Sequence, residues 1–119
     1  MDKQDLGKKG EELAARYLQS HGYRILTRNF RSKLGEIDAI GLDGKILVFI
    51  EVKTRWSKKF GPPEEAVTSW KLKSIIKTAQ YFKMLHPELP ESLRIDVVAI
   101  SLSSDGGVEE IRLLKNVTG

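Results

Sequence analysis

The chain has no cysteine and only two histidines among its 119 residues. Without cysteine it forms neither disulfides nor thiolate zinc sites, and this absence is typical of a cytoplasmic protein. The scarcity of histidine argues against nucleases and zinc hydrolases that bind their metal through imidazole. No serine lies in a nucleophile-elbow motif either, so nothing in the sequence indicates a covalent nucleophile.

Long apolar runs are also missing. No segment approaches the roughly 18 apolar residues of a membrane span, and the polar start Met1–Asp5 is not that of a signal peptide. With 40% apolar and 30% charged residues, the composition is that of an ordinary globular protein. We therefore expect one domain over residues 1–119, with no membrane association. The net charge of +4 permits a polyanionic partner such as nucleic acid.

Hydrophobic periodicity predicts the order helix, strand, hairpin, helix, strand, strand. Gly22 is the expected cap that ends the first helix, and Thr68 is the expected N-cap of the second. This order predicts an α/β layer fold in which helices flank a mixed central sheet. The expected helices lie at about residues 5–21 and 69–85, and the expected strands at about 23–29, 35–42, 45–52, 94–102 and 108–114.

The second strand of the hairpin combines an apolar run with two charges. The largely β-branched segment Ile46–Val52 predicts a strand covered on both faces. Its end nevertheless carries Glu51, with Lys53 two residues later. Side chains alternate along a strand, so these two point the same way, about 6.6 Å apart along it. By itself, such a pair is typical of an ion-paired strand end.

The hairpin predicts a second carboxylate beside Glu51. A two-residue loop at Asp43–Gly44 pairs Asp38 with Phe49. Glu51 is then the diagonal neighbour of Asp38 on the same face, roughly 7–8 Å away, which is close enough for both to bind one cation. A three-residue loop would turn Asp38 to the other face. The two acids repel each other by about 2 kcal/mol, so either Lys53 and nearby arginines neutralise them or the site holds a divalent metal.

A third acid lies on the first helix. Glu11 is beside the apolar stripe that includes Leu18, whereas Glu12 points elsewhere. Taken alone, Glu11 is typical of a solvated acid in a first helical turn. Gly7 and Gly10 are unfavourable in a helix, which indicates either a close backbone approach or a later helix start.

Basic residues near the acids are candidates for binding phosphate, although each segment is alternatively only a solvated surface. They lie in segment 28–33, in loop 54–63, and on the outer face of the second helix. Asp96, by contrast, is expected to be a structural acid at the edge of the sheet, paired with Arg94 or a nearby lysine. The candidate nucleic-acid contacts are Arg31, Lys33, Arg55, Lys58, Lys59 and Lys71.

The ordered set Glu11, Asp38 and Glu51-Val52-Lys53 resembles the core of the PD-(D/E)xK nuclease superfamily, whose fold is restriction-endonuclease-like. More closely, the chain resembles the YraN-like family of small bacterial proteins, which are related to archaeal Holliday-junction resolvases. A lone E-x-K is a weak signal, but the ordered set is specific. The matching segments are Gly7-x-x-Gly10-Glu11-x-x-Ala14, Arg28-Asn29-Phe30-Arg31, Gly35-Glu36-Ile37-Asp38, residues 48–55, Glu65-Ala66-Val67-Thr68 and Asp96-Val97-Val98.

The resemblance implies a metal-dependent endonuclease that hydrolyses DNA phosphodiesters, with branched or junction DNA among its candidate substrates. Asp38 and Glu51 would bind Mg²⁺ or Mn²⁺, and Lys53 would stabilise charge or orient the attacking water. Glu11 would match the additional catalytic carboxylate that resolvases supply from their first helix. The three acids and the amine are expected to converge around one cation.

Resolvases work as dimers because a four-way junction needs two cuts, so the resemblance also suggests a homodimer. The alternative to an enzyme is a non-catalytic nucleic-acid or protein-binding module that retains the nuclease fold.

Overall fold

The computed structural model describes residues 2–56 and 67–118, and within them two helices and five strands form one α/β layer structure. The predicted order of elements and the mixed sheet are confirmed. Neither helix in these two ranges is long and apolar enough to cross a membrane. The elements are α1 (Lys3–Ser20), β1 (Arg24–Ser32), β2 (Gly35–Asp43), β3 (Ile46–Trp56), α2 (Ser69–Leu85), β4 (Leu93–Leu102) and β5 (Val108–Leu114).

The sheet has the order β1-β2-β3-β4-β5, with β3 at its centre. β3 and β4 are parallel, while the other neighbouring pairs are antiparallel. Alternate residues of β3 pack against opposite helices: Val48 and Ile50 lie in the apolar cluster with α1, and Leu47 and Phe49 lie in the cluster with α2. Burial on both faces explains why this strand is a continuous apolar run.

Helix α1 begins at Lys3, two residues before the predicted start, because Asp2 caps it. The Oδ1 atom of Asp2 accepts a hydrogen bond from the Asp5 backbone N–H at 2.8 Å. The later start that the glycines allowed is therefore wrong. A Cβ at Gly10 would overlap the side chain of Thr54 on β3, so glycine is needed for close packing there. Gly7 has no atom within 4 Å of such a Cβ among the residues described.

Strand β1 extends further than predicted and includes all but the last residue of the basic segment 28–33. Its predicted end at Asn29 is three residues short of Ser32. Phe30 holds this extension against the sheet and α2: it pairs with Ile37 on β2, and its ring packs edge-on against Phe82, with centroids 5.1 Å apart. Only a short turn, not a basic loop, therefore separates β1 from β2.

The β2–β3 hairpin has a different loop from the predicted one. Asp43 pairs with Ile46, so the loop residues are Gly44 and Lys45. Gly44 has a φ of 60°, a left-handed conformation that glycine adopts without steric cost. The register is displaced by two residues from the prediction, and a displacement by an even number leaves every side chain on its predicted face.

A buried polar network ties the hairpin end to β4. Asp96 is fully buried and accepts hydrogen bonds from the Tyr23 hydroxyl at 2.8 Å and from the Arg94 Nε at 2.9 Å. The Asn116 backbone N–H also donates to it, at 3.0 Å, and Arg94 further donates to Asp43 at 2.7 Å. The predicted pairing with Arg94 is confirmed, but the edge position is wrong because β4 lies between β3 and β5.

Candidate functional site

Asp38 and Glu51 face each other where the paired region of β2 and β3 ends. The last observed pair is Ala39 with Ile50, so Asp38 and Glu51 are the next residues along the two strands and not the diagonal neighbours that were predicted. The Asp38 Oδ2 accepts a hydrogen bond from the Val52 backbone N–H at 2.7 Å. The Glu51 carboxyl lies within hydrogen-bonding reach of Asp38 and, when protonated, donates to it. The structure therefore brings the two acids into contact.

The sheet is distorted at Asp38. Ile37 and Ala39 would share a face in a regular strand, yet they pack in opposite apolar clusters. Across from Asp38 on β1, Asn29 has a φ of 55°. This left-handed conformation costs most non-glycine residues about 1–2 kcal/mol, and asparagine tolerates it best. Its side chain also donates a hydrogen bond to Glu11. Strained backbone of this kind often marks functional sites.

The pKa values of both acids are raised, because burial and repulsion between the carboxylates outweigh the positive charges nearby. The pKa of Glu51 is raised to about 7, first by burial and then by the charge of Asp38, and the pKa of Asp38 is also raised by burial. Lys71 and Lys53 oppose the rise at Glu51 but do not cancel it. Near neutral pH, a substantial share of molecules therefore keeps a proton on Glu51.

The nearest cation to Glu51 comes from α2. The Nζ of Lys71 lies 3.7 Å from the Glu51 Oε1, and the Lys71 backbone N–H is held by the N-cap Thr68 at 3.1 Å. The helical pattern predicts Lys71 on the outer face of the helix as a nucleic-acid contact, but the structure places it on the side that faces the sheet. Its position four residues before the buried Ile75 was the signal for the sheet-facing side. Lys53 is exposed and close enough for its charge to lower the pKa of Glu51.

Glu11 lies near the acid pair but does not complete a metal site. Burial raises the pKa of Glu11, the charge of Asp38 raises it further, and Arg28 lowers it. Glu11 is half-buried well inside α1, so the solvated first-turn interpretation is wrong. Among residues 2–56 and 67–118, no three acidic or histidine side chains are close enough together to hold a metal ion. The expected convergence of three acids is therefore reduced to a contacting pair with a third carboxylate nearby.

The other predicted nucleic-acid contacts that the structure describes lie on separate parts of the fold. Arg31 is exposed and forms an ion pair with Glu36 at 3.3 Å. Lys33 is exposed in the turn between β1 and β2, and Arg55 is half-buried near the end of β3. Lys58–Lys59 lie outside the described residues. Of the predicted set, Lys71 is the residue that the structure shows beside the acid pair.

Raising the pH from about 5 to about 8 is expected to destabilise the wild-type protein relative to Glu51→Gln in the absence of metal. Because the pKa of Glu51 is about 7 in the folded protein and near 4.5 when unfolded, the folded state holds a proton that the unfolded state releases. This stabilising contribution is complete below about pH 4.5 and is lost as the pH rises through about 7. The lost free energy of unfolding is on the order of 3 kcal/mol.

Urea denaturation across this pH range measures the effect. Glutamine does not titrate, so the stability difference between the two proteins should change with pH in the stated direction. Parallel pH profiles for the two proteins would contradict the raised pKa of Glu51.

Within the described residues, a five-stranded mixed sheet between two helices, with an acid pair and a lysine on its central strands, fits a restriction-endonuclease-like core. Comparison with known protein families identifies the family of the chain as well as its fold. Residues 10–100 match the Uncharacterised protein family UPF0102. The chain belongs to this YraN-like family.

Curated relatives resemble the chain over almost its whole length. A UPF0102 protein of Caldicellulosiruptor saccharolyticus is 45% identical over 98% of this chain and 98% of its own. One from Geobacter metallireducens is 47% identical over 93% of this chain and 89% of its own. A third, from Clostridium botulinum, is 44% identical over 94% and 92% respectively.

Proposed function

We propose that this protein is a metal-dependent endonuclease that hydrolyses DNA phosphodiester bonds, with branched or junction DNA as candidate substrates. The observation that carries the proposal is the buried contact between Asp38 and Glu51, where the pKa of Glu51 stays raised despite two nearby lysines. An acid that forms a structural ion pair has a lowered pKa instead. Beside Arg94, the pKa of Asp43 is lowered. The nearby lysines therefore do not fully neutralise the Asp38–Glu51 pair, which leaves it suited to bind a cation in exchange for the proton on Glu51.

The donor set fits a hard divalent cation. Mg²⁺ is usually held by one or two carboxylates, while waters and substrate phosphates fill its other positions, and Mn²⁺ likewise favours oxygen ligands. Asp38 and Glu51 would supply the two carboxylates, so a third protein ligand is not required. When bound, the ion would lower the pKa of a water and polarise a phosphodiester oxygen. Binding must displace the proton on Glu51, so metal affinity is expected to rise as the pH increases through about 7.

The surrounding side chains supply orientation and positive charge. The Val52 backbone N–H fixes the Asp38 carboxylate by its 2.7 Å hydrogen bond, and the Lys71 ammonium group lies 3.7 Å from the Glu51 carboxylate. Lys53 projects to solvent on the side of Glu51, where an approaching phosphate would meet it. Its charge would stabilise the negative charge that develops on the phosphate, or orient the attacking water. Glu11 adds a nearby carboxylate that could accept a proton from that water.

Cleavage of labelled branched and single-stranded DNA tests the proposal. The wild-type protein should cut in Mg²⁺ or Mn²⁺ and not in EDTA, and Glu51→Gln should lower the rate by at least about 100-fold, because even the partners that orient a metal ligand are worth 10–100-fold. Equal cleavage by both proteins would reveal a contaminant. Binding without cleavage by the wild-type protein would favour the non-catalytic module instead.

The melting temperature in the presence of Mn²⁺ tests separately whether the acid pair binds metal. Saturating Mn²⁺ should raise the melting temperature of the wild-type protein by several degrees and leave that of Asp38→Asn unchanged. Without metal, Asp38→Asn should be at least as stable as the wild type, since the amide can accept from Val52 and donate to Glu51. A large loss of stability in Asp38→Asn would show that Asp38 has a structural role.

A further inference from the structure

Helix α2 carries an exposed stripe that is not used in its packing. Its opposite face is buried in the core through residues such as Ile75, Ala79 and Phe82. Trp70 is 78% exposed and Met84 is 70% exposed, which is unusual for large apolar side chains. Residues spaced by three or four positions share one helix face. The outer stripe consists of Trp70, Lys73, Lys77, Gln80 and Met84, all exposed.

The outer stripe contains two lysines and no acidic residue. Neither Lys73 nor Lys77 forms an ion pair or hydrogen bond with another residue in the part of the chain that the structure describes. The turn between β1 and β2 extends the same basic surface, because the Ser74 hydroxyl donates to the Leu34 carbonyl at 3.0 Å and thereby holds the exposed Lys33 beside α2. The aromatic and the lysines therefore lie together on one surface.

The N-terminal end of α2, where the outer stripe begins, lies next to the acid pair. Trp70 directly precedes Lys71, whose ammonium group lies 3.7 Å from Glu51. At 1.5 Å per residue, the stripe runs about 21 Å from this end to Met84. The first turn of α2 also lies here, so the positive end of the helix dipole faces the same region. A DNA strand with its phosphate at Glu51 would lie close to this first turn of α2, where Trp70 is exposed.

We infer that Trp70 stacks on an unpaired base of the DNA substrate and that Lys73 and Lys77 bind phosphates of the same single strand. Sites for single-stranded nucleic acid combine an aromatic platform with a basic track in this way. In a duplex the base faces are covered by neighbouring bases, so Trp70 would favour substrates with an unpaired segment. This inference rests on the proposed nuclease function and adds to it the structural feature of DNA that is recognised.

Binding of a labelled thymidine oligonucleotide in EDTA tests the inference, because no cleavage occurs under these conditions. Trp70→Ala should weaken single-strand binding at least about fivefold, the lower end of what base stacking on an aromatic contributes. It should change binding to a duplex of the same length much less. Trp70→Phe, which retains an aromatic face, should keep most of the affinity. Since Trp70 is exposed, its variants should melt like the wild-type protein.

The lysines are tested by their salt dependence. Lys73→Gln with Lys77→Gln should reduce the slope of log affinity against log salt concentration by about 1.4, the value for two single-strand phosphates. The matched control is Arg24→Gln with Lys45→Gln, which removes two exposed charges at the far end of the sheet and should leave the affinity nearly unchanged.

Three results would overturn the inference: single-strand affinity unchanged in Trp70→Ala, equal losses for single strand and duplex, or no nucleic-acid binding by the wild-type protein. These results differ from a failure of the proposed function. If Trp70 carries single-strand binding but the wild type never cleaves, stacking holds and the nuclease proposal fails. If cleavage depends on Glu51 but Trp70→Ala binds normally, the nuclease proposal holds and stacking fails.

Discussion

Lys53→Ala is expected to lower the single-turnover rate of metal-dependent DNA cleavage by at least about 100-fold, because one charge aimed at a developing negative charge is typically worth 10²–10³ in rate. Lys53 is exposed, so its removal should not unfold the protein. It is also not a carboxylate ligand, so Mn²⁺ should still raise the melting temperature of the variant. Loss of cleavage with retained metal binding would separate the role of the lysine from that of Asp38 and Glu51.

Two matched variants sharpen this experiment. Lys45 is also an exposed lysine, but it lies in the hairpin loop at the other end of β3, and Lys45→Ala should cleave at the wild-type rate. Lys53→Arg keeps the charge with a different geometry and should recover part of the activity. A wild-type rate in Lys53→Ala would contradict the assigned role, and loss of the Mn²⁺ effect in that variant would mean that Lys53 acts through the acid pair.

Asp96→Ala is expected to lower the free energy of unfolding by about 3–5 kcal/mol, the usual cost of removing one partner from a buried ion pair. The change leaves the guanidinium of Arg94, which is 14% exposed, and the buried hydroxyl of Tyr23 without their shared acceptor. The backbone N–H of Asn116 loses its partner as well. Since domains of this kind are stable by about 5–15 kcal/mol, the loss is a large fraction of the total.

Urea denaturation measures this loss. Glu91→Ala is the control: Glu91 is 90% exposed and forms an ion pair with Lys83 at 3.2 Å, so its removal should change stability by less than about 1 kcal/mol. Asp96→Asn keeps one acceptor oxygen and should lie between the two. Equal effects of Asp96→Ala and Glu91→Ala would show that the buried network does not stabilise the fold. Refolded Asp96→Ala should retain the Mn²⁺ response, because Asp96 is not part of the acid pair.

Features that depend on neighbours in the chain were predictable. The apolar run of β3 identified a central strand, and Thr68 marked the start of α2. The alternation of side chains put Asp38 and Glu51 on one face, and this held although the loop was misplaced. Each of these conclusions uses only the period of a strand, the cap of a helix or the length of a turn, so no knowledge of distant packing is needed.

The register of the β2–β3 hairpin could not be predicted from such local rules. An Asp-Gly pair is compatible with Asp43 as the first loop residue or as the last strand residue. In the structure it belongs to the strand, and Arg94 from β4 donates to its carboxylate at 2.7 Å. A partner about fifty residues away in sequence contributes to this choice, and periodicity carries no information about it.

By itself, the sequence determined the kind and order of the elements, the shared face of Asp38 and Glu51, and the family resemblance. Only the tertiary structure decided that Lys71 comes within 3.7 Å of Glu51 and that Asn29 adopts a left-handed conformation beside Glu11. It also decided that Glu11 stops short of a three-carboxylate site among the residues described. These features depend on how closely separate elements approach one another, and that distance is set by packing, not by the local pattern of residues.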